Sequence, residues 1–365
     1  MNCSTQLRRW QNLTCLAVFS ILATYLSGYY LTKIPHHDPE RASHRTESDG
    51  PNVTKPAAAF VPGVVEPGKK YTRTLVIASL QEEETDWAEE VARDDPTLTA
   101  AVYIVDNSTA RNTVPENKGH EVMVYLTYII DHYYTLSDVS IFMHAHLLSW
   151  HNNDLLNSNS ADMVKRLRSA KVIRDGYMNL RCHWEPGCPD HIHPITGGDD
   201  LSNIPEAAVL GKSWQELFPN SQLPEVLSQT CCGQFAVSAD RLRSIPRDTY
   251  LFYRDWLLES PLPDNLSGRV WEYVWQYIFA GVEELCPAEH ICYCEGYGVC
   301  FNGKPEYDYY NEMKSLRNDI QGKINDLKIN GTVIAGSEDK VQGLQTKVDQ
   351  LLAEMDKIKT RVLGN

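Results

Sequence analysis

Residues Val139 to Asn153 read VSIFMHAHLLSWHNN. The first five residues form an apolar run that predicts a buried strand, and this run ends abruptly at His144 and His146. Because successive side chains of a strand alternate between its two faces, these imidazoles point to the same side. Ligands of open α/β sheets bind at the carboxyl ends of the strands. The stretch therefore predicts an α/β fold with a binding site where this strand ends.

The segments before this strand repeat the same pattern. Short apolar runs at 74–80 and 100–105 predict two further strands, and helical spacing of apolar residues occurs at 86–93 and 117–133. Strands that alternate with helices indicate βαβ units. We therefore expect a mostly parallel, Rossmann-like sheet flanked by helices. Further along the chain we predict helices at 161–174, 239–244, 247–259 and 268–279, and a strand at 235–238.

The N-terminal segment predicts a membrane anchor. Residues 13–31 are uncharged and mostly apolar, which at about 1.5 Å per residue is just long enough to span a bilayer. Arg8 and Arg9 precede the run, so the positive-inside rule places residues 1–12 in the cytoplasm. We therefore expect a single-pass type II membrane protein of the Golgi or another secretory compartment. Residues 32–71 would form a flexible stem, and residues 72–303 a luminal domain. A cleaved signal peptide is the alternative.

The cysteines fit a luminal domain. Eight of the ten lie beyond the predicted span, and an even number in an oxidising compartment indicates disulfides. Cys182 and Cys188 could close a short loop, as could members of the group from Cys286 to Cys300, but the pairing stays open. A zinc site in the C-terminal group is the alternative. Glycosylation sequons are present at Asn52, Asn107, Asn265 and Asn330.

Residues 304–365 differ from the preceding domain in composition and in the spacing of their apolar residues. A heptad-like seam is formed by Val341, Leu344, Val348, Leu351, Met355, Ile358 and Val362. A second helical stripe precedes it, and Asn330-Gly331 and Gly336 separate the two. A helical hairpin and a self-associating coiled coil that would make the protein a homo-oligomer are both consistent with this pattern.

The composition restricts the class of partner. The chain has 365 residues, of which 42% are hydrophobic, so it can build a full core. Its formal net charge is -14, whereas proteins that bind nucleic acid through phosphates need a basic face. We therefore expect no nucleic-acid partner.

Val102 to Thr109 reads VYIVDNST and resembles the second strand of GT-A glycosyltransferases, whose large inverting family carries a V-D-N-x-S signature. The resemblance implies that Asp106 contacts the nucleotide of a sugar donor. Asn117-Lys118-Gly119 is similar to the Asn-x-Gly segment that opens the next helix in that family. The third strand then ends where the family places a metal-binding Asp-x-Asp.

At this position the chain has His144-Ala-His146 instead. Carboxylates suit Mg²⁺ or Mn²⁺, whereas imidazoles prefer Zn²⁺ and other late metals. The two histidines are therefore candidate ligands of a divalent metal, Mn or Zn. The alternative is that they hold the diphosphate of the donor directly.

A closer resemblance covers residues 72–302. The strings VPENKGHE, YLTYIIDHY, FMHAH-x-x-SWHNNDL, CCGQFAVS and WEYVWQYIF are similar to a fungal family known only as domain of unknown function 3431. This resemblance implies a fungal origin and a GT-A-like fold, and it carries no demonstrated reaction.

Further candidate residues lie near the predicted strand ends. Lys118 and Glu121 lie at a helix start, where anions bind favourably. Trp150, His151 and Asn152 follow the third strand and combine stacking with hydrogen bonding. Glu272 lies among aromatic residues that would raise the pKa of a carboxyl group, so it is a candidate base that takes the proton of an acceptor hydroxyl. Asp255 and Asp264 are its rivals.

These features favour a membrane-anchored enzyme that transfers a sugar from a nucleotide-sugar donor to a glycan acceptor. The first alternative is a non-catalytic glycan-binding or assembly protein on a degenerate transferase scaffold, which the loss of Asp-x-Asp favours. The second alternative is a zinc-dependent hydrolase built on two His-x-His pairs, His144/His146 and His191/His193.

Overall fold

The computed structural model describes residues 61–329 and 331–364. Within these residues, no helix has the length and apolar character needed to cross a bilayer. The cytoplasmic tail at 1–12, the membrane anchor at 13–31 and all but the end of the stem at 32–71 lie outside the described residues.

A five-stranded sheet with the order β2-β1-β3-β6-β4 forms the centre of the domain. In chain order the strands are β1 (Arg73–Ser79), β2 (Leu98–Ile104), β3 (Val139–His144), β4 (Tyr177–Asn179), β5 (Ser228–Gln229), β6 (Phe235–Ser238), β7 (Glu284–Leu285), β8 (Lys328–Ile329) and β9 (Thr332–Val333). β5 and β7 form a separate parallel pair, and β8 and β9 an antiparallel pair.

Helices lie on both sides of this sheet. In chain order they are α1 (Asp86–Asp94), α2 (Val122–His132), α3 (Ser160–Arg166), α4 (Ser169–Asp175), α5 (Ala207–Leu217), α6 (Ala239–Arg243), α7 (Arg247–Glu259), α8 (Asp264–Glu272), α9 (Trp275–Ala280), α10 (Glu289–Tyr297), α11 (Lys304–Asp326) and α12 (Glu338–Leu363). The mixed α/β architecture expected from the sequence is confirmed.

Four strands of the sheet point in one direction, and only β6 points in the other. β1 pairs in parallel with β2 and with β3, as expected from the alternation of strands and helices. β6 runs antiparallel to both β3 and β4. Its first residue, Phe235, lies opposite Phe142 near the end of β3, so the chain enters β6 at the carboxyl edge of the parallel strands. The residues just before β6 are thereby placed beside His144.

Two hydrophobic clusters cover the faces of the sheet. Val76 and Phe142 pack on one face with α2, α7, α8 and α9. Leu75, Ile77 and Ile141 pack on the other face with α1, α3, α4 and α10. Because side chains alternate along a strand, His144 points to the same face as Phe142, toward α2 and α8.

Two helices predicted as continuous are interrupted. The segment predicted at 161–174 divides into α3 and α4, because the amide of Arg168 donates to the carbonyl of Gly296 instead of continuing the helix. The segment predicted at 268–279 divides at Tyr273 and Val274, between α8 and α9. Neither interruption contains proline or glycine, so no local signal marks it in the sequence.

All eight cysteines beyond the predicted span form disulfides. The pairs are Cys182–Cys292, Cys188–Cys286, Cys231–Cys232 and Cys294–Cys300. Cys182 and Cys188 therefore do not close a short loop with each other, and each instead crosslinks to the segment around α10. Cys294–Cys300 closes a short loop as expected. The thiols needed for the alternative zinc site are consumed by these bonds.

The C-terminal helices α11 and α12 form a hairpin within one chain. Ile320 and Ile324 of α11 pack on Val348 of α12, and Met355 and Ile358 pack against the core of the main domain. Much of the heptad-like seam is therefore covered inside the molecule.

Candidate functional site

A cavity of about 360 Å³ opens at the carboxyl ends of β1, β2 and β3. Ser79 and Leu80 reach it from β1, Val105 from β2, and His144 from β3. The sequence predicts a site at this edge, and the strand ends do converge on one cavity. Four histidines line it, namely His120, His144, His146 and His151.

His144 is held firmly by the turn that precedes β6. Its Nε2 donates to the carbonyl oxygen of Cys232 at 2.7 Å, and its backbone amide donates to Oε1 of Gln234 at 3.1 Å. Burial lowers the pKa of His144, and that of His151, whose ring centroid lies 4.9 Å away, falls to about 4 for the same reason. At neutral pH both imidazoles are therefore uncharged.

His146 is the more accessible member of the His-x-His pair. Its side chain is 64% exposed, and its Nδ1 lies 3.4 Å from Oε1 of Glu83, which also lines the cavity. His146 can therefore turn a ring nitrogen toward a ligand, whereas the Nε2 of His144 is already occupied by Cys232.

The residues around this pair do not fit a resident metal ion. Among residues 61–329 and 331–364, no group of three or more His, Cys, Asp or Glu side chains is placed to hold one. In the second His-x-His pair, His191 packs on the ring of Tyr273. His193 lies between Asp190 and Asp199, at 2.9 and 2.7 Å. Each pair thus has its own partners, and the two pairs do not combine into one zinc site.

Two carboxylates lie together behind the histidines. Glu121 precedes α2 and lines the cavity, and Glu272 ends α8. Burial raises the pKa of Glu121 to about 7. Burial also raises the pKa of Glu272 to about 7, and the negative charge of Glu121 adds to this increase. Both groups therefore titrate near neutral pH, and the charge of one affects the titration of the other.

Gly233 allows these carboxylates to approach the turn before β6. Its φ is +61°, and a Cβ atom there would lie 2.7 Å from Oε1 of Glu121 and 3.8 Å from Cγ of Glu272. A side chain at this position would therefore displace the carboxylate of Glu121.

Cys232 connects the carboxylates to the histidines. It is bonded to Cys231 and has a φ of +89°. Its amide donates to Oε2 of Glu272 at 2.9 Å, and its carbonyl accepts from His144. One peptide segment thus positions both the candidate base and the first histidine of the His-x-His pair. The vicinal cysteines are bonded to each other and offer no free thiol.

Several candidates have structural partners outside the cavity wall. Oδ1 of Asp106 accepts from the amide of Gln81 at 2.9 Å. Nζ of Lys118 donates to the carbonyls of Leu258 and Ser260 at 3.0 and 2.6 Å. Both residues thus hold loops in place, and the structure gives Lys118 no visible role at a phosphate.

The loop after β3 divides its side chains between two cavities. His151 lines the histidine-lined cavity, whereas Trp150 and Asn152 line a larger one on the other side of the loop. Asn152 is buried, and its amide group bonds to Ser158, Ser160 and Gln234. Trp150 is 63% exposed.

Three cavity residues were missed as site candidates or ranked second. His120 adopts a left-handed φ of +53° directly after Gly119, which turns it toward the cavity. Glu83 follows β1. Asp264, a rival of Glu272 in the sequence, lines the cavity and accepts from the amide of Gly119 at 3.4 Å. Proximity to Lys118 and Glu121 in the sequence is the signal that could have identified His120.

Comparison with known proteins gives one match. No curated protein and no solved structure matches the chain. The model of one family matches residues 75–295, which agrees closely with the range expected from the sequence strings. Since this match spans more than half of the chain, the protein belongs to the family described as Protein of unknown function (DUF3431).

Proposed function

We propose that the cavity binds a nucleotide-linked sugar and transfers the sugar to a hydroxyl group of an acceptor. The observation that carries this proposal is the carboxylate pair Glu121 and Glu272, whose pKa values are about 7, beside a cavity at the carboxyl ends of parallel strands. A general base works best when its pKa is near the working pH. The resemblance of VYIVDNST to the second strand of GT-A transferases supports the same reaction class.

The transfer step needs one base and one leaving group. A carboxylate takes the proton of the acceptor hydroxyl while the oxygen of that hydroxyl bonds to the anomeric carbon of the sugar. The bond from that carbon to the nucleotide diphosphate breaks at the same time, and the diphosphate leaves with the bonding electrons. Glu121 is the better placed of the pair, because it lines the cavity. The sequence-based assignment of the base to Glu272 stays a prediction.

The donor would bind through imidazole donors. His120 and His146 are exposed in the cavity and can donate ring N–H groups to diphosphate oxygens. Asp106, which the GT-A resemblance would place at the nucleotide, lies just beyond the end of β2 but does not line the cavity. These contacts would leave the carboxylate pair free to accept the proton of the acceptor hydroxyl.

Substitution of the carboxylates tests the chemistry. Glu121→Gln should lower the transfer rate by about 10²–10⁴, the usual contribution of a general base. Glu272→Gln should instead move the rising limb of the pH–rate profile to lower pH, because it removes a negative charge that favours the protonated form of Glu121. A large loss in Glu272→Gln with near-normal activity in Glu121→Gln would assign the base to Glu272.

Calorimetry with a panel of nucleotide sugars tests donor binding. The full chain should bind at least one of them, and His146→Ala should weaken this binding by about tenfold, the loss of one charge-assisted hydrogen bond. His132→Ala is the matched control, because His132 is also exposed but lies at the far end of α2. A wild-type chain that binds no nucleotide sugar contradicts the proposed function.

The proposed setting is the lumen of the Golgi or another secretory compartment, with a type II anchor at 13–31. Four disulfides in the described residues favour an oxidising compartment. Protease protection of the domain in sealed microsomes, together with endoglycosidase-sensitive glycans on the sequons, would support this setting. A domain digested without detergent would exclude it.

A non-catalytic glycan-binding protein is the second candidate. It is favoured by the exchange of Asp-x-Asp for His144-Ala-His146 and by the hydrogen bond that occupies the Nε2 of His144. Glycan binding without any binding or turnover of nucleotide sugars would select this function.

A further inference from the structure

We propose that the larger cavity beside Trp150, here called the tryptophan groove, binds a neutral oligosaccharide. The groove has a volume of about 1050 Å³ and lies between the loop after β3, the segment from Arg181 to Pro189, and α11. This is at the upper end of the usual range for small-ligand pockets, so it suits a chain of several sugars better than a single ring. The inference that this oligosaccharide is the acceptor rests on the proposed function. The inference that the groove binds it does not.

Two tryptophans give the groove its aromatic surface. Trp150 is 63% exposed, and the guanidinium carbon of Arg181 lies 5.3 Å from its ring centroid. Arg181 also donates to the backbone carbonyls of Trp150 and Glu185, which holds its guanidinium group beside the indole. Trp184 lines the same groove, with its Nε1 donating to the carbonyl of Pro287. The C–H face of a sugar ring packs well on such amphipathic rings.

The charges of the groove favour a neutral ligand. Its lining contains five carboxylates but only three lysine or arginine side chains. Each of these cations has a partner already: Arg181 bonds to two carbonyls, Lys304 to Asp308, and Lys314 to Asp154. A phosphate or sulfate group would therefore meet net negative charge, whereas hydroxyl groups can bond to carboxylates and imidazoles alike.

The walls of the groove are crosslinked before any ligand arrives. Cys182–Cys292 and Cys188–Cys286 fasten the segment that carries Trp184 to the segment around α10. On the opposite wall, Lys314 of α11 contacts Asp154, which also bonds to His183. A preformed site loses less conformational entropy on binding, which favours a flexible ligand such as a glycan.

The groove lies next to the donor cavity. Between them stands the loop after β3, in which the ring centroids of Trp150 and His151 are 4.3 Å apart and those of His151 and His144 are 4.9 Å apart. Asn152 on the groove side and His144 on the cavity side are bridged by Gln234. An oligosaccharide on Trp150 would therefore extend toward the carboxylate pair.

Binding of oligosaccharides to the full chain tests this inference. The probes are neutral gluco-, manno- and chito-oligosaccharides of about four to six units, a length suited to a groove of this volume. The detergent should lack a sugar head group, because such a head group would compete. At least one series should bind, and Trp150→Ala should weaken binding by about tenfold, the value of one aromatic contact of about 1.4 kcal/mol. Trp150→Phe should retain most of the affinity.

Tyr134→Ala is the control, because Tyr134 is 80% exposed and does not line the groove. It should bind like the wild type. The inference is overturned if no neutral oligosaccharide binds, if Trp150→Ala binds normally, or if sulfated glycans bind more tightly than neutral ones. If nucleotide sugars bind but oligosaccharides do not, the inference about the tryptophan groove is wrong and the proposed donor site is unaffected. If the wild type binds oligosaccharide but no nucleotide sugar, and Trp150→Ala loses the oligosaccharide binding, the result supports the inference about the groove and contradicts the proposed transferase function.

Discussion

Glu121 and Glu272 make the stability of the protein depend on pH in a defined direction. Both groups have pKa values of about 7 in the fold, raised by burial from the ordinary value of 4.5. Between these values the native state binds more protons than the unfolded chain. The free energy of unfolding should therefore fall as the pH rises through this window, and the contribution of the pair is lost as the pH passes through about 7.

A double substitution isolates this effect. Glu121→Gln with Glu272→Gln should stabilise the protein relative to the wild type, and more so at about pH 8 than at about pH 5. The stabilisation at the higher pH should exceed that at the lower pH by on the order of 2 kcal/mol. Urea unfolding at the two pH values measures it. The lowered pKa of His151 acts in the opposite direction but is common to both proteins, so it cancels in the comparison. If the variant and the wild type differ by the same free energy of unfolding at both pH values, the pKa values of Glu121 and Glu272 are not raised in the fold.

Single residues show where sequence analysis reaches its limit. His144 could be placed at a strand end because the apolar run before it is local information. The closeness of Glu121 to Glu272 could not be predicted, since it depends on how α2 and α8 pack. Lys118 illustrates the opposite case: its position at a helix start suggests an anion, but the carbonyls of Leu258 and Ser260, distant in the sequence, take its donors.

Among the elements, the loop from Glu185 to Pro189 has little freedom to change. Gly187 in this loop has a φ of +114°, and a Cβ atom there would overlap the carbonyl oxygen of Gln229. Gly187→Ala should therefore combine backbone strain of about 1 kcal/mol with an overlap that costs roughly 1–3 kcal/mol. Gly197→Ala is the matched control, because Gly197 also has a positive φ but nothing lies within 4 Å of its Cβ position.

Urea denaturation of the two variants measures the difference. Gly197→Ala should lose only the strain energy, whereas Gly187→Ala should lose that and the overlap. Because Trp184 directly precedes this loop and Cys188 lies in it, Gly187→Ala should also weaken oligosaccharide binding in the tryptophan groove. Equal losses of stability would show that the loop moves away from Gln229 freely.

The strands are more predictable than their directions. β1, β2 and β3 lie within two residues of the predicted runs. β1 and β3 are buried on both faces, which explains their nearly continuous apolar sequences, whereas β2 is an edge strand and is only partly buried. The antiparallel course of β6 could not be predicted, since it depends on a long connection that returns to the carboxyl edge of β3. The break between α3 and α4 likewise depends on a tertiary contact, the hydrogen bond from the amide of Arg168 to the carbonyl of Gly296.

At the scale of the whole molecule, the C-terminal hairpin completes the domain and does not extend away from it. Val348, Met355 and Ile358 of the heptad-like seam are buried within the chain, and Lys314 connects α11 to Asp154. The apolar pattern predicts these helices, but a heptad pattern does not say whether its partner is the same chain or another copy. The segment that could have formed a stalk instead forms a wall of the tryptophan groove.

The disulfides hold this assembly together to different extents. Cys182–Cys292 closes a loop of 110 residues, whereas Cys294–Cys300 closes one of 6. Cys188–Cys286 lies inside the long loop and already joins the same two segments, so breaking Cys182–Cys292 alone opens a loop of only about 12 residues, 6 from Cys182 to Cys188 and 6 from Cys286 to Cys292. Because loop-closure entropy grows with the logarithm of loop length, Cys182–Cys292 should contribute about 0.6 kcal/mol more to the free energy of unfolding than Cys294–Cys300. Replacing Cys182 and Cys292 together by alanine should therefore lower stability more than replacing Cys294 and Cys300.

Thermal unfolding of the two double variants measures this difference, with oligosaccharide binding as a second readout. The Cys182/Cys292 variant should also bind oligosaccharide more weakly, because this crosslink fixes one wall of the groove. The Cys294/Cys300 variant is the control, since Cys182 lies between the lining residues Arg181 and His183, whereas neither Cys294 nor Cys300 is next to a lining residue in the sequence. If the two variants unfold at the same temperature and bind equally, α10 must be held by packing of residues such as Tyr293 and Tyr297, which are almost fully buried, and not by the covalent bond.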